Sequence, residues 1–190
     1  GARQWIYAPY YVGYEYVQAR SHSPATMDVL YDDPPHTSEE LIHGLPGGSE
    51  PLPPLSVDVR STDWTVNGTD RTGELFVRVA LDSELESERA ATAAAGWGTD
   101  TRATLTDGND RAYVWALRWD DAANATEFER AVEAYLDARG TADSGVWTDG
   151  PVAFDVTRVD DETVVVLLGD ETFVRSATVQ GTDGSVTVAT

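Results

Sequence analysis

Two histidines and four carboxylates fall within the stretch "YDDPPHTSEELIHG", residues 31–44. Imidazole and carboxylate are the groups that exchange protons near neutral pH and that ligate divalent ions. Glu40 and His43 form a Glu-x-x-His unit, and positions i and i+3 share a helix face. Carboxylate-bridged dimetal sites use this spacing, but in two copies with further carboxylates; the chain contains one. A mononuclear zinc site needs three or four ligands. His36 and His43, with Asp32 or Asp33 as a third, would supply them, at a spacing that matches no zinc motif. The competing reading is architectural. Pro34 and Pro35 stop one helix, Thr37 and Glu40 make a capping box for the next, and Gly44 closes it. Glu39 and Glu40 then favour the positive end of that helix and His43 its negative end. On this reading Asp32, Asp33, His36, Glu40 and His43 are metal candidates only in type, His36 and His43 do not converge on one ion, and the segment holds no catalytic residue or cofactor.

Other chemistries have less to stand on. The chain has no cysteine, hence no thiolate nucleophile, disulfide or cysteine-based zinc site. A serine hydrolase elbow, G-x-S-x-G, is absent, as is a D-x-D-x-D-G calcium loop. Gly96-Trp97-Gly98 is too short for a phosphate loop and reads as a helix end with Trp97 packed beneath it. Asn67-Gly-Thr and Asn124-Ala-Thr are glycosylation sequons, relevant only outside the cell.

Charge narrows the setting. Asp and Glu total 33 against 13 basic residues, a net charge of -20, and every basic residue is Arg. Molar salt shrinks the screening length to roughly 3 Å, which lets a dense carboxylate surface stay hydrated without driving the fold apart. The pattern therefore reads as adaptation to high salt. It disfavours nucleic acid as a partner, since no basic stripe exists to meet phosphates. No apolar run is long enough to span a bilayer, so direct membrane insertion is not expected. The aromatic opening "GARQWIYAPYYVGYEYVQARS" reads as the middle of a fold, and the chain is expected to be a piece of something longer.

The elements that must position these residues fall into three parts. Residues 1–45 read as short helices forming the tail end of an upstream domain: Pro9 suits a first turn, Tyr10, Tyr14 and Val17 share a face, and Ser23 with Pro24 opens a second helix. Residues 46–72 read as a linker, Pro- and Gly-rich at its start. Residues 73–190 read as an α+β domain. "GELFVRVAL" places Leu75, Val77, Val79 and Leu81 at period two, a strand. Ser83 and Glu86 cap a helix over 83–95 that Gly96 ends. Two strands meet across "DGND", and Tyr113, Trp115, Leu117 and Trp119 line one face of the second. Asp121 caps a helix whose stripe is Phe128, Val132, Tyr135 and Leu136 and which Gly140 ends. A further hairpin crosses "DDE", its second strand apolar enough to be covered on both sides; "ETFVRSATVQG" reads as a last helix and "SVTVAT" as a last strand. The order β-α-β-β-α-β predicts a ferredoxin-like split βαβ sheet, antiparallel, with helices on one face and a hairpin extension.

These residues carry a resemblance. "YDDPPHTSEELIHG", "AAAGWGTD" and "YVWALRWDDAANATEFERAVEAYL" are similar to segments of a family of haloarchaeal surface proteins, usually lipid-anchored. That family in turn resembles bacterial proteins carrying a metallopeptidase-like HExxH helix. The match spans roughly residues 7–170, and Gly44 stands where the family usually has Pro. The family's zinc-type segment would lie upstream of residue 1; the chain has no HExxH, so the resemblance brings no catalytic residue into it. It implies a non-catalytic C-terminal region of an extracellular, surface-anchored protein that meets a protein or cell-surface partner, or alternatively an accessory domain shaping the substrate groove of an upstream metallopeptidase-like domain.

Overall fold

The computed structural model describes residues 2–21 and 23–190. Helices α1 (Ala2–Arg20), α2 (Pro24–Asp32) and α3 (Ser38–His43) precede strands β1 (Ser56–Arg60) and β2 (Thr65–Asp70). Next come α4 (Glu74–Leu81), α5 (Ser87–Ala94), β3 (Trp97–Thr106), β4 (Arg111–Trp119) and α6 (Ala122–Arg139). The chain continues through β5 (Thr141–Asp143), β6 (Val146–Asp149), β7 (Val152–Arg158), β8 (Thr163–Gly169), α7 (Glu171–Ser176), β9 (Thr178–Thr182) and β10 (Ser185–Ala189).

Local chemistry explains most of these boundaries. The Asp107 carboxylate accepts from the backbone N–H groups of Asn109 and Asp110, both at 2.8 Å, and Gly108 takes a positive φ, which closes the β3–β4 hairpin. Asp121 accepts from the N–H groups of Ala123 and Asn124 and starts α6. Asp160 accepts from the N–H of Glu162 in the β7–β8 turn.

The strands form a seven-stranded sheet in the order β2-β3-β4-β8-β7-β6-β5, with every pair antiparallel, and a three-stranded sheet in the order β1-β10-β9. Strands β4 and β8 lie at the centre of a three-layer stack. Their alternating side chains feed two separate cores. Trp115, Leu117, Trp119, Val164 and Val166 face α4, α5 and α6, where they meet Val77, Ala94 and Phe128. Val114, Ala116, Val165 and Leu167 face the small sheet and α7, where they meet Phe173, Val186 and Val188. The aromatic face of β4 is therefore core, and α5 and α6 share one side of the sheet as expected. Trp119 stacks on Phe128 with ring centroids 4.7 Å apart. Among the described residues no helix is long and apolar enough to cross a membrane.

Several expectations need correction. Residues 74–81 form α4, not a strand. The helix is covered on two sides. Phe76, Val77, Ala80 and Leu81 face the sheet, while Leu75 and Val79 border α1 and α3. With apolar residues on nearly every position, the odd-numbered ones mimic a period of two. The ferredoxin-like arrangement loses its first strand with this change, and the seven-stranded sheet does not follow that fold's four-strand order. Instead α6 carries the chain from β4 to the far edge, and β5, β6, β7 and β8 step back one by one to pair with β4. The helices α4, α5 and α6 do keep to one face; α7 packs on the other.

The stretch 46–72 is not linker throughout, because β1 and β2 lie in it. Strand β1 half-buries Val57 and Val59, whereas β2 is an edge strand exposed at every position and carries no alternation to detect. The cap of α5 is Glu86 without a side-chain bond, and Ser83 instead donates to the Ala80 carbonyl at the end of α4. Pro9 lies inside α1 rather than in its first turn, and "ETFVRSATVQG" divides into α7 and the start of β9.

Candidate functional site

Helix α3 is short and held from outside. Thr37 Oγ1 accepts from the Glu40 N–H at 3.1 Å, and Gly44 follows in the left-handed conformation with φ 65°. The guanidinium of Arg20 on α1 stacks on Tyr16 and donates to the Gly44 carbonyl, placing a cation at the negative end of α3. Tyr16 donates its hydroxyl to the Leu45 carbonyl at 3.1 Å. On the other side α3 joins α4. Ser38 Oγ accepts from the Leu75 N–H at 3.2 Å, and His43 Nε2 lies 3.0 Å from both Glu74 oxygens.

This joint gathers carboxylates that water would otherwise solvate. Glu39, Glu40 and Glu74 are all buried. Burial pushes the Glu39 carboxyl from its usual 4.5 up to about 8, and the neighbouring charges of Asp120, Glu74, Glu50 and Glu40 push the same way. Burial also raises Glu74, against the opposing pull of His43 and Arg78. Glu40 moves the other way. Burial favours its neutral form, but the backbone N–H groups of His36, Glu50 and Thr37 together outweigh that effect and hold it below the ordinary range. Neighbouring carboxyls driven apart in this manner are what acid–base chemistry requires. The apolar cavity beneath α4 shares no residue with these carboxylates, and the groove formed by His36, Thr37, Ser38, Arg71, Thr72, Gly73 and Trp97 borders the joint through Thr37 and Ser38 without including them. The arrangement is therefore a proton-bearing joint between two helices.

A pH dependence follows. The Glu39 carboxyl has a folded pKa of about 8 against 4.5 for the free group. Its stabilising share is fully present below 4.5 and is lost progressively as the pH rises through about 8. Glu39→Gln should remove that decline. At pH 9 the variant is expected to be the more stable by on the order of 2 kcal/mol, after allowance for residual water contact. Parallel denaturation curves from pH 5 to 9 that fail to diverge would refute the shift.

The candidates of residues 31–44 disperse. His36 places its ring against Gly48, 3.3 Å from where a Cβ there would stand, while its backbone N–H donates to Glu40 Oε2 at 2.6 Å. The other Glu40 oxygen accepts from the Glu50 N–H at 3.2 Å. Asp32 is exposed, and Asp33 lies against Gly47. His43 turns to Glu74, so the two histidines serve different neighbours. Among the described residues no group of three or more His, Asp or Glu side chains is arranged to hold a metal ion. Asn67 lies on exposed β2; Asn124 is half-buried, donating to the Ala95 carbonyl and pressed against Gly96.

Two groups escape a reading of the sequence. Glu74 does so because its segment imitates a strand. The other is Asp100, buried in β3, whose carboxylate accepts from the Thr72 and Gly73 N–H groups, the Thr72 hydroxyl and the Trp115 indole. Its place after the Gly-Trp-Gly run was visible, but partners 15 to 28 positions away were not.

The family model described as "Domain of unknown function (DUF8575)" matches residues 62–179. That span holds the seven-stranded sheet with α4, α5, α6 and α7, and leaves α1, α2, α3, β1 and β10 outside it. No curated protein and no solved structure matches the chain.

Proposed function

We propose, for a chain that belongs to the family described as "Domain of unknown function (DUF8575)", a non-catalytic role as the C-terminal, partner-contacting region of an extracellular, surface-anchored protein of high-salt environments. The observation that carries the contact role is the outer face of α1. Tyr7, Tyr10, Tyr11 and Tyr14 are 67%, 77%, 64% and 61% exposed and follow the i, i+3, i+4, i+7 spacing of one helix face, which Val17 continues at i+10. Tyrosine presents a large apolar ring with a polar tip, the residue type enriched where proteins meet. The opposite side of the helix is already occupied, through Tyr16 and Arg20, by α3. The location rests on the lysine-free acidic composition and on the resemblance to surface proteins.

Photo-crosslinking in intact native cells tests the contact role. A benzophenone amino acid in place of Tyr10 should give a discrete adduct, and one in place of exposed Glu127 on α6 should not. Adducts confined to an upstream part of the same polypeptide would favour the accessory-domain reading; none at position 10 would sink both. Glycopeptide mass spectrometry tests the location, with occupancy expected at Asn67 and not at Asn124. Recovery of the chain solely from cytosol would overturn it.

A further inference from the structure

A cavity of about 190 Å³ lies between the seven-stranded sheet and helices α4 and α6. Its floor is two adjacent rows of cross-strand neighbours: Arg102 on β3, Trp115 on β4 and Val166 on β8 in one, and Tyr113 on β4, Leu168 on β8 and Phe154 on β7 in the other. Its roof is formed by Phe76, Ala80 and Leu81 of α4 with Phe128, Val132 and Leu136 of α6. Cores are packed so closely that few voids exceed a water molecule. An apolar cavity of ~150 Å³ already admits a benzene ring, so this one has room for a ring and a short substituent.

One polar group in this lining has an unmet need. The Nε–H of Arg102 is buried and has no hydrogen-bond acceptor among the described residues. Elsewhere in that guanidinium Nη2 makes a long 3.3 Å contact with the exposed Asp70, and the group lies over the Tyr113 ring at 5.8 Å from its centroid. At the opposite end of the lining the Tyr135 hydroxyl already accepts from Arg139 Nη1 at 3.0 Å. A buried donor left without an acceptor is costly, and a charged donor is best satisfied by a carboxylate.

We propose that this cavity is a binding site for a compact apolar carboxylate, an aromatic or branched aliphatic acid whose hydrocarbon part fills the space beneath α4 and α6 and whose carboxylate accepts from Arg102 Nε. The site is separate from the tyrosine face of α1 and from the acidic joint of α3 and α4, and it stands or falls independently of the contact role. Arg102, Tyr113, Phe154 and Leu168 are half-buried and form its mouth, so entry needs no unfolding of the sheet.

Calorimetric titration of the intact chain in molar KCl with hydrocinnamate, and with its neutral amide as the comparison, tests the assignment. Hydrocinnamate should bind one to one and at least tenfold more tightly than the amide. Arg102→Gln should abolish that preference while leaving the amide's affinity unchanged. Ala80→Phe or Val132→Phe, each filling the cavity, should abolish binding of both probes in folded protein. On the unmodified chain, nuclear Overhauser contacts from the probe's ring should reach the Val166 and Leu168 methyl groups. No saturable binding by either probe, contacts elsewhere on the surface, or a preference for hydrocinnamate that survives Arg102→Gln would each overturn the proposal.

Discussion

Raising KCl from about 0.1 M to about 3 M is expected to raise the melting temperature of this chain by roughly 12–24 °C, as the screening length falls from roughly 10 Å to below 3 Å. Several arginines are committed to ion pairs, among them Arg118 with Glu162, Arg139 with Asp149, Arg158 with Glu129 and Arg175 with Glu171. What remains is a net surplus of 20 negative charges. The outer face of α6 shows the result, for burial and the charges of Glu129 and Asp137 together raise the Glu133 carboxyl. If each surplus carboxylate repels its nearest like neighbour by about 0.3 kcal/mol at low salt, the total is about 6 kcal/mol. For a chain of this size each kcal/mol moves the melting temperature by roughly 2–4 °C. Thermal melts across the salt series measure the effect directly. A flat series would remove the high-salt reading and with it part of the argument for where the protein works.

Asp100→Ala should be the most damaging single polar substitution, costing about 4 kcal/mol, or a fall of roughly 8–16 °C in melting temperature. The carboxylate ties the loop before α4 to β4, with donors at 2.8 to 3.1 Å. Its removal leaves the Trp115 indole N–H facing the core without an acceptor. The Thr72 and Gly73 N–H groups lose the anion that fixes the entry to α4. Asp100→Asn keeps one acceptor oxygen but turns an NH₂ toward other donors, so an intermediate loss of about 2 kcal/mol is expected. Denaturant titrations in molar KCl read both variants. A loss below about 1 kcal/mol for Asp100→Ala would mean that the loop is positioned by something else.

The parts of the fold legible in the sequence are those whose cause is local. Asp107, Asp121 and Asp160 close turns or start a helix with donors two or three positions away. The apolar run of β8 announces a strand covered on both faces. Residues 74–81 fail the same test because a helix buried on two sides has no polar stripe, and the reading settles on period two by default. Strand β2 is invisible for the opposite reason: it pairs by backbone alone and buries no side chain. At the α3–α4 joint, the caps Thr37 and Gly44 were readable, since a cap and its helix are neighbours in sequence. The pairing of His43 with Glu74 was not, because it joins positions 31 apart through an element assigned the wrong type. Arg102 gave no signal at all, since a charged residue on an alternating strand describes any solvated strand face.

The parallel pairing of β1 with β10 sets a timetable for the protein's birth. Ser56 matches Ser185 in register, and the Thr190 N–H reaches back to the Arg60 carbonyl at the end of the same pairing. At about 5–20 residues per second of ribosomal elongation, β1 emerges roughly 6 to 26 seconds before its neighbour exists. Through that interval Val57 and Val59 have no strand beside them, and the inner side chains Val114, Ala116 and Leu167 await their cover. The first layer, α4 to α6 on β3, β4 and β8, can condense beforehand, because it needs nothing beyond Gly169. The second layer closes only when Val186 and Val188 arrive. A nascent chain stalled between those two points would hold a finished front and a bare apolar back, the state in which it most needs a chaperone or its own charge to stay apart from its siblings.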